Sequence, residues 1–178
     1  PNNTTEQHLK VLYKLGFRRI SYGVQDNDPE VQRVINRIQP LENVKRATEI
    51  ARKVGFTSVN YDLIYGLPKQ TLASIDRTIR EVVELKPDRI AFYSYAHVPW
   101  TSKAQRLFDE NDLPSAEDKV LMYLKGKEIL MENGYQDIGF HSLFKATGNS
   151  ETAVLLRMEK IAEGYRGVLL SLKKGDVV

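Results

Sequence analysis

Gly55-Phe56-Thr57-Ser58-Val59-Asn60-Tyr61-Asp62-Leu63-Ile64-Tyr65-Gly66-Leu67-Pro68 decides the fold, because a helix stop, a strand and a turn follow one another without interruption. A glycine closing the apolar-periodic run of residues 42–54 is a C-cap signal, since glycine enters the left-handed region without a Cβ penalty. Val59, Tyr61 and Leu63 then alternate with Asn60 and Asp62, the period of two that sends successive side chains to opposite faces of a strand. Gly66-Leu67-Pro68 supplies turn chemistry that sets the backbone path.

The same unit recurs on both sides. Residues 5–15 carry Leu9, Leu12 and Tyr13 on one helical stripe, with Thr4 and Gln7 as a capping box, stop at Gly16 and lead into a strand over residues 18–24. Residues 72–85 read as a helix that ends at Lys86-Pro87 before a strand over 89–95. Residues 116–132 read as another, ending at Gly134-Tyr135 before a strand over 136–140. Asp28-Pro29 and Ser115 with Asp118 mark helix starts. The pattern predicts an α/β chain of repeated βα units with parallel strands, a partial TIM-like barrel over residues 1–140. Four strands fall short of the about eight that close such a barrel, so an open sheet edge is expected. Residues 141–178 form a divergent C-terminal segment: 145–150 are polar, 152–163 return to helical periodicity, and 165–172 read as a strand.

Composition narrows the function. The chain has 178 residues, 42% of them hydrophobic, enough to bury a sizeable core. Its net charge of +3 comes from 26 basic and 23 acidic residues spread along the sequence, so no single-sign block points to nucleic acid or a membrane surface. No apolar run approaches the roughly 20 residues that span a bilayer, and residues 1–10 lack the pattern of a secretory leader, so a cytoplasmic protein is expected. With 0 cysteines there is no disulfide, no thiolate nucleophile and no ordinary iron–sulfur ligation.

In parallel α/β architectures ligands gather at the C-terminal ends of the strands. Asn60 and Asp62 fall on the face opposite the apolar set and so are expected to face the lumen. A carboxylate there seeks either a ligand hydroxyl or amine, or a structural partner such as Arg37. Gln25 follows the first strand and can both donate to and accept from a carboxylate, ribose or adenine edge, while Arg37 offers a planar fork for a carboxylate. His97 has two readings, a base or ligand role and a hydrogen-bonded structural one; with no histidine or cysteine near it in sequence, the second is favoured. Tyr93, Tyr95 and Trp100 read as packing. Neither catalytic nor metal-ligating residues are assigned.

Three groups of strings carry a family resemblance. Arg19-Ile20-Ser21-Tyr22-Gly23-Val24-Gln25-Asp26 is followed by Pro29-Glu30-Val31-Gln32-Arg33 and Asn36-Arg37; then come the stretch 55–71 and Pro87-Asp88-Arg89 leading to Tyr95-Ala96-His97-Val98-Pro99. Ala104-Gln105-Arg106, Leu113-Pro114-Ser115 and Gly134-Tyr135 through Gly139 extend the match over residues 1–140. Together they resemble the oxygen-independent coproporphyrinogen III oxidases, also called coproporphyrinogen dehydrogenases, of the radical S-adenosylmethionine (radical SAM) family.

The resemblance implies a radical-SAM barrel, a 4Fe-4S cluster that reduces S-adenosylmethionine, an electron donor, and oxidative decarboxylation of coproporphyrinogen III to protoporphyrinogen IX in heme biosynthesis. It also implies that Gln25, Arg37, Asp62 and Ala96 contact a second S-adenosylmethionine, near the substrate. The family's three-cysteine cluster motif does not occur here, so the chain alone is expected to be inactive. After Gly139 the family continues Met-Asp-His-Phe, whereas Phe140-His141-Ser142-Leu143 follows here, so His141 does not inherit the family histidine's role. The alternatives are a heme- or porphyrin-binding chaperone-like barrel and an inert folded remnant. Gln25-Asp26 and Asn36-Arg37 favour the dehydrogenase branch over the chaperone branch, which usually carries serine after the glutamine.

Overall fold

The structure is a computed structural model, and it describes residues 1–98, 105, 108, 110–138, 142–145, 152–161 and 164–173, the last three segments as strands. In chain order the elements are α1 (Glu6–Lys14), β1 (Arg19–Gln25), α2 (Pro29–Val34), α3 (Leu41–Val54), β2 (Ser58–Tyr65), α4 (Leu72–Glu84), β3 (Arg89–Ser94), α5 (Ala116–Glu132), β4 (Tyr135–Asp137), β5 (Ser142–Lys145), β6 (Thr152–Ile161) and β7 (Gly164–Lys173).

Strands β1, β2 and β3 pair in parallel in that order, as the repeated units predict. Each helix closes where a residue can turn left-handed: Gly16, Gly55 and Gly134 have φ of +96°, +112° and +82°, and Lys86 takes the same role after α4 at φ +52°. The capping box of α1 lies one residue beyond the predicted one, with the Thr5 hydroxyl accepting from the His8 N–H and His8 reaching back. Asp28 caps α2 ahead of Pro29, and Ser115 caps α5, as expected.

Along β2, Val59, Tyr61, Leu63 and Tyr65 are buried, while Ser58, Asn60, Asp62 and Ile64 are half-buried on the other face. The buried row joins Tyr22, Val24, Ile90 and Phe92 from the neighbouring strands and Val44, Ala47, Ile75, Ile79, Met122 and Ile129 from the helices in one core. Helices therefore cover one face of the sheet, and the polar row of β2 lies on the opposite face.

The structure departs from the predicted repeat after α5. The fourth strand, β4, does not join β3. Instead β5 runs antiparallel to both and lies between them, giving the order β1-β2-β3-β5-β4. The helix expected over 152–163 is also not formed. Thr152–Ile161 pairs antiparallel with Gly164–Lys173 along its whole length in a separate two-stranded sheet, so the strand expected over 165–172 is present with a partner. A continuous backbone ladder outweighs a weak helical periodicity in a run that includes Val154, Leu155 and Leu156, residues at home in either element. Pro99, Trp100, Ala104, Arg106 and His141 lie outside the described residues.

Candidate functional site

Three side chains predicted to read a ligand converge at the C-terminal end of β1. Pairing with β2 runs residue by residue from Arg19 to Gly23, which faces Asp62, and then skips Val24 so that Gln25 faces Leu63. This bulge puts Gln25 at φ +68°, a left-handed conformation for a non-glycine residue, and brings its Nε2 to 3.4 Å from the Asp62 carbonyl oxygen. Arg37, just past α2, folds back so that its guanidinium donates to the Gly23 carbonyl at 2.8 Å. Gly23 permits this approach, because a Cβ there would stand 2.8 Å from Arg37 Nη2 and 3.1 Å from Gln25 Nε2.

On the same face Asp62 belongs to a small polar ring. The Ser21 hydroxyl donates to its Oδ2 at 2.9 Å, and Asn60 Nδ2 donates both to its Oδ1 and to Ser21 Oγ, each at 2.8 Å. The structural partners of this carboxylate are therefore a hydroxyl and an amide. Among the described residues it has no ion pair with Arg37. Both oxygens keep lone pairs for a ligand amine or hydroxyl. Across the sheet the Tyr93 phenol is pushed above its usual range, first by burial and then by the negative charge of Asp62.

Ala96 stands apart, exposed on the connection after β3, its carbonyl accepting from Gln105 Nε2 at 3.3 Å. Among the described residues His97 Nδ1 is buried without a partner, so the hydrogen bond expected there of a structural histidine is not made with any of them. Its ring packs with Tyr95 and Phe108, at centroid distances of 6.2 and 5.5 Å. Among the described residues the Tyr95 hydroxyl is likewise buried without a partner, and burial pushes it up to about 12.

Sequence reasoning missed the framework beneath these residues. Asp26 is wholly buried and accepts from the Asp28 N–H at 2.6 Å, from the Thr78 hydroxyl at 2.9 Å and from the Gln70 side-chain amide. Gln70 in turn donates to the Ile64 carbonyl and accepts from the N–H groups of Gly66 and Leu67. Gln32 and Gln39 join the same layer: Gln32 Nε2 donates to the carbonyls of Asp26 and Gln39, and Gln39 Nε2 to that of Gly23. The connections after β1 and β2 are thus fastened to each other directly behind Gln25. The only sequence signal was a carboxylate immediately following the strand.

The donor set fits S-adenosylmethionine and not an iron–sulfur cluster. A guanidinium, an amide and a carboxylate with open lone pairs match a ligand carrying a carboxylate, an amine and ribose hydroxyls. Cluster ligation calls for thiolates; the sequence has 0 cysteines, and no group of three or more His, Asp or Glu among the described residues could hold a metal. No helix among the described residues is long and apolar enough to cross a membrane.

Comparison with known proteins gives the same direction. Residues 1–82 match the Radical SAM superfamily. The oxygen-independent coproporphyrinogen III oxidase of Helicobacter pylori is 41% identical over 167 residues, 94% of this chain and 36% of the relative. That of Escherichia coli is 43% identical over 165 residues, 91% of this chain and 36% of the relative. The solved structure of the Escherichia coli coproporphyrinogen III oxidase, a radical SAM enzyme, superposes with a TM-score of 0.78 at 43% identity, covering 82% of this chain and 33% of that one. The chain spans about a third of the length of the curated relatives it matches. In sequence and in fold, the chain is similar to radical SAM proteins, and among them to about a third of the length of the oxygen-independent coproporphyrinogen III oxidases.

Proposed function

We propose that the chain supplies an S-adenosylmethionine-reading wall of an oxygen-independent coproporphyrinogen III oxidase, which oxidatively decarboxylates two propionate side chains of coproporphyrinogen III to vinyl groups. The observation that carries this reading is the convergence of Gln25, Arg37 and Asp62 on Gly23, in a chain whose relatives bear that name. In the complete enzyme an S-adenosylmethionine at the cluster would supply the radical that starts the reaction, and the residues of this chain would hold a second molecule of it near the substrate. Arg37 pairs with the carboxylate of its methionine portion, Gln25 reads a neighbouring polar edge, Asp62 accepts from its amine or ribose hydroxyls, and Ala96 contributes backbone. The chain's own residues offer no cluster ligation, so by itself it turns over no coproporphyrinogen; the cluster and electron donor belong to the complete enzyme. In this reading residues 1–140 are the barrel unit, residues 141–178 a divergent addition, and the setting is the reducing cytoplasm.

Calorimetric titration with S-adenosylmethionine tests the assignment. Wild-type chain is expected to bind, and Asp62→Ala to weaken binding about tenfold or more with an unchanged circular dichroism spectrum, the usual effect of deleting a charged hydrogen-bonding partner. No heat from the wild type, or equal affinity of the variant, would defeat it.

A further inference from the structure

Next to the turn that carries Arg37 lies a cavity of about 470 Å³, lined by Arg33, Val34, Asn36, Lys69, Phe108 and Asp112. Its size falls within the roughly 300–1,000 Å³ of small-molecule sites. It draws on the connections after β1, β2 and β3 at once, the convergence that places ligands in parallel α/β architectures. Its backbone is held in an unusual conformation: Asn36 and Lys69 have φ of +52° and +62°, and with Gln25 they make three of the four non-glycine residues in the left-handed region among those described. Such conformations persist only where the surroundings enforce them, and they cluster at ligand sites. Here Lys69 is fixed twice to Asp112, its N–H donating to the carbonyl at 2.8 Å and its Nζ pairing with the carboxylate at 2.5 Å.

Among the described lining residues, Arg33 and Lys69 bring two positive charges and Asp112, which pairs with Lys69, one negative. Among the described residues the guanidinium of Arg33 and the side-chain amide of Asn36 engage no hydrogen bond or ion pair, although both belong to the cavity lining. Val34 and Phe108 supply an apolar wall next to them.

The geometry points to a carboxylate subsite: Arg33 and Asn36 bind one propionate-type side chain of the tetrapyrrole substrate while Val34 and Phe108 pack against the attached pyrrole ring. A guanidinium without a partner among the described residues suits a carboxylate, and a fork and an amide suit its two oxygens. The inference rests on the reading that the chain belongs to a coproporphyrinogen oxidase, but it concerns residues other than those assigned to S-adenosylmethionine.

The test is a fluorescence titration of the full chain with coproporphyrin III, a stable oxidised form of the substrate, alongside calorimetry with S-adenosylmethionine. Arg33→Gln is expected to weaken porphyrin binding about tenfold or more and to leave S-adenosylmethionine binding unchanged, while Arg33→Lys retains most of the affinity. Arg33 is exposed, so neither change threatens the fold. Equal porphyrin affinity in wild type and Arg33→Gln overturns the subsite, as does failure of the wild type to bind porphyrin, or a loss confined to S-adenosylmethionine. Porphyrin binding that depends on Arg33 in a chain that ignores S-adenosylmethionine would uphold the subsite and sink the cofactor assignment, so the two readings fail separately.

Discussion

Asp26 carries more of the site's geometry than any residue that touches the ligand face. Every partner of its carboxylate is a donor, namely the Asp28 N–H, the Thr78 hydroxyl and the Gln70 amide. Asparagine would turn its amide NH2 toward the amide NH2 of Gln70, donor against donor, and rotating Gln70 to avoid it would strand the N–H groups of Gly66 and Leu67. Asp26→Asn is therefore expected to destabilise the fold by about 1–3 kcal/mol at neutral pH in urea unfolding, the cost of an unsatisfied buried group. Burial raises the Asp26 carboxyl, helped by the charge of Asp28 and opposed by the three donors. A carboxyl raised in the folded state binds its proton more tightly there, so wild type gains stability as pH falls from the raised value toward about 4, the ordinary carboxylate range. The Asn variant lacks this gain, and the stability gap between the two should widen as pH falls from neutrality toward about 4. A gap that stays constant would show that the donors, not burial, set the proton affinity. Gln25, Arg37 and Asp62 were legible as candidates because each carries an informative functional group, Gln25 at the end of β1, Asp62 on β2 and Arg37 just past α2. Asp26 and Gln70 were not, since nothing local reveals which buried side chains meet across 44 residues of sequence.

Among the elements, α5 shows how closely the helices close on the sheet. Gly126 lies in its middle, where a Cβ would stand 2.5 Å from Phe92 Cε1 and 2.7 Å from Ile79 Cδ1. The glycine lets α5 settle onto β3 and α4 together. Alanine favours the helix by about 1 kcal/mol over glycine, but forcing a methyl into this contact costs roughly 1–3 kcal/mol. Gly126→Ala is accordingly expected to lower the thermal midpoint by a few degrees; an increase would mean that Phe92 and Ile79 give way freely. Elements of this kind were legible wherever period, cap and stop agreed, as in α3, β2, α4 and α5. Legibility failed where register alone decides. The capping box of α1 differs from the prediction by one position because Thr4 and Thr5 are adjacent and equally able to cap. Residues 152–161 pair as a strand because a partner ten residues long lies just downstream, a long-range fact that a short helical window does not contain.

At the scale of the whole molecule, the strand order determines what is protected. β2 is flanked by β1 and β3 and carries the buried row of the core, whereas β1 ends the sheet and, among the described residues, pairs with β2 alone. Its outer edge offers unpaired backbone groups, and the charged Arg18 and Arg19 at its start discourage another chain from adding there. The open edge anticipated from a strand count below about eight is thus present at β1. At the other side of the sheet, β5 covers β3 in place of a further parallel strand, an arrangement that the βα repeat could not foretell because antiparallel pairing follows no such repeat. The consequence is measurable by native-state hydrogen exchange. Amides of β2 should exchange slowest. In β1 alternate amides face β2 and should be protected, while those between them face outward and exchange at least about tenfold faster. Alternation of this kind would establish that the isolated chain is a monomer with a free edge. Uniform protection along β1 would show instead that a second copy adds its own strand there, since only a backbone partner can slow both sets of amides.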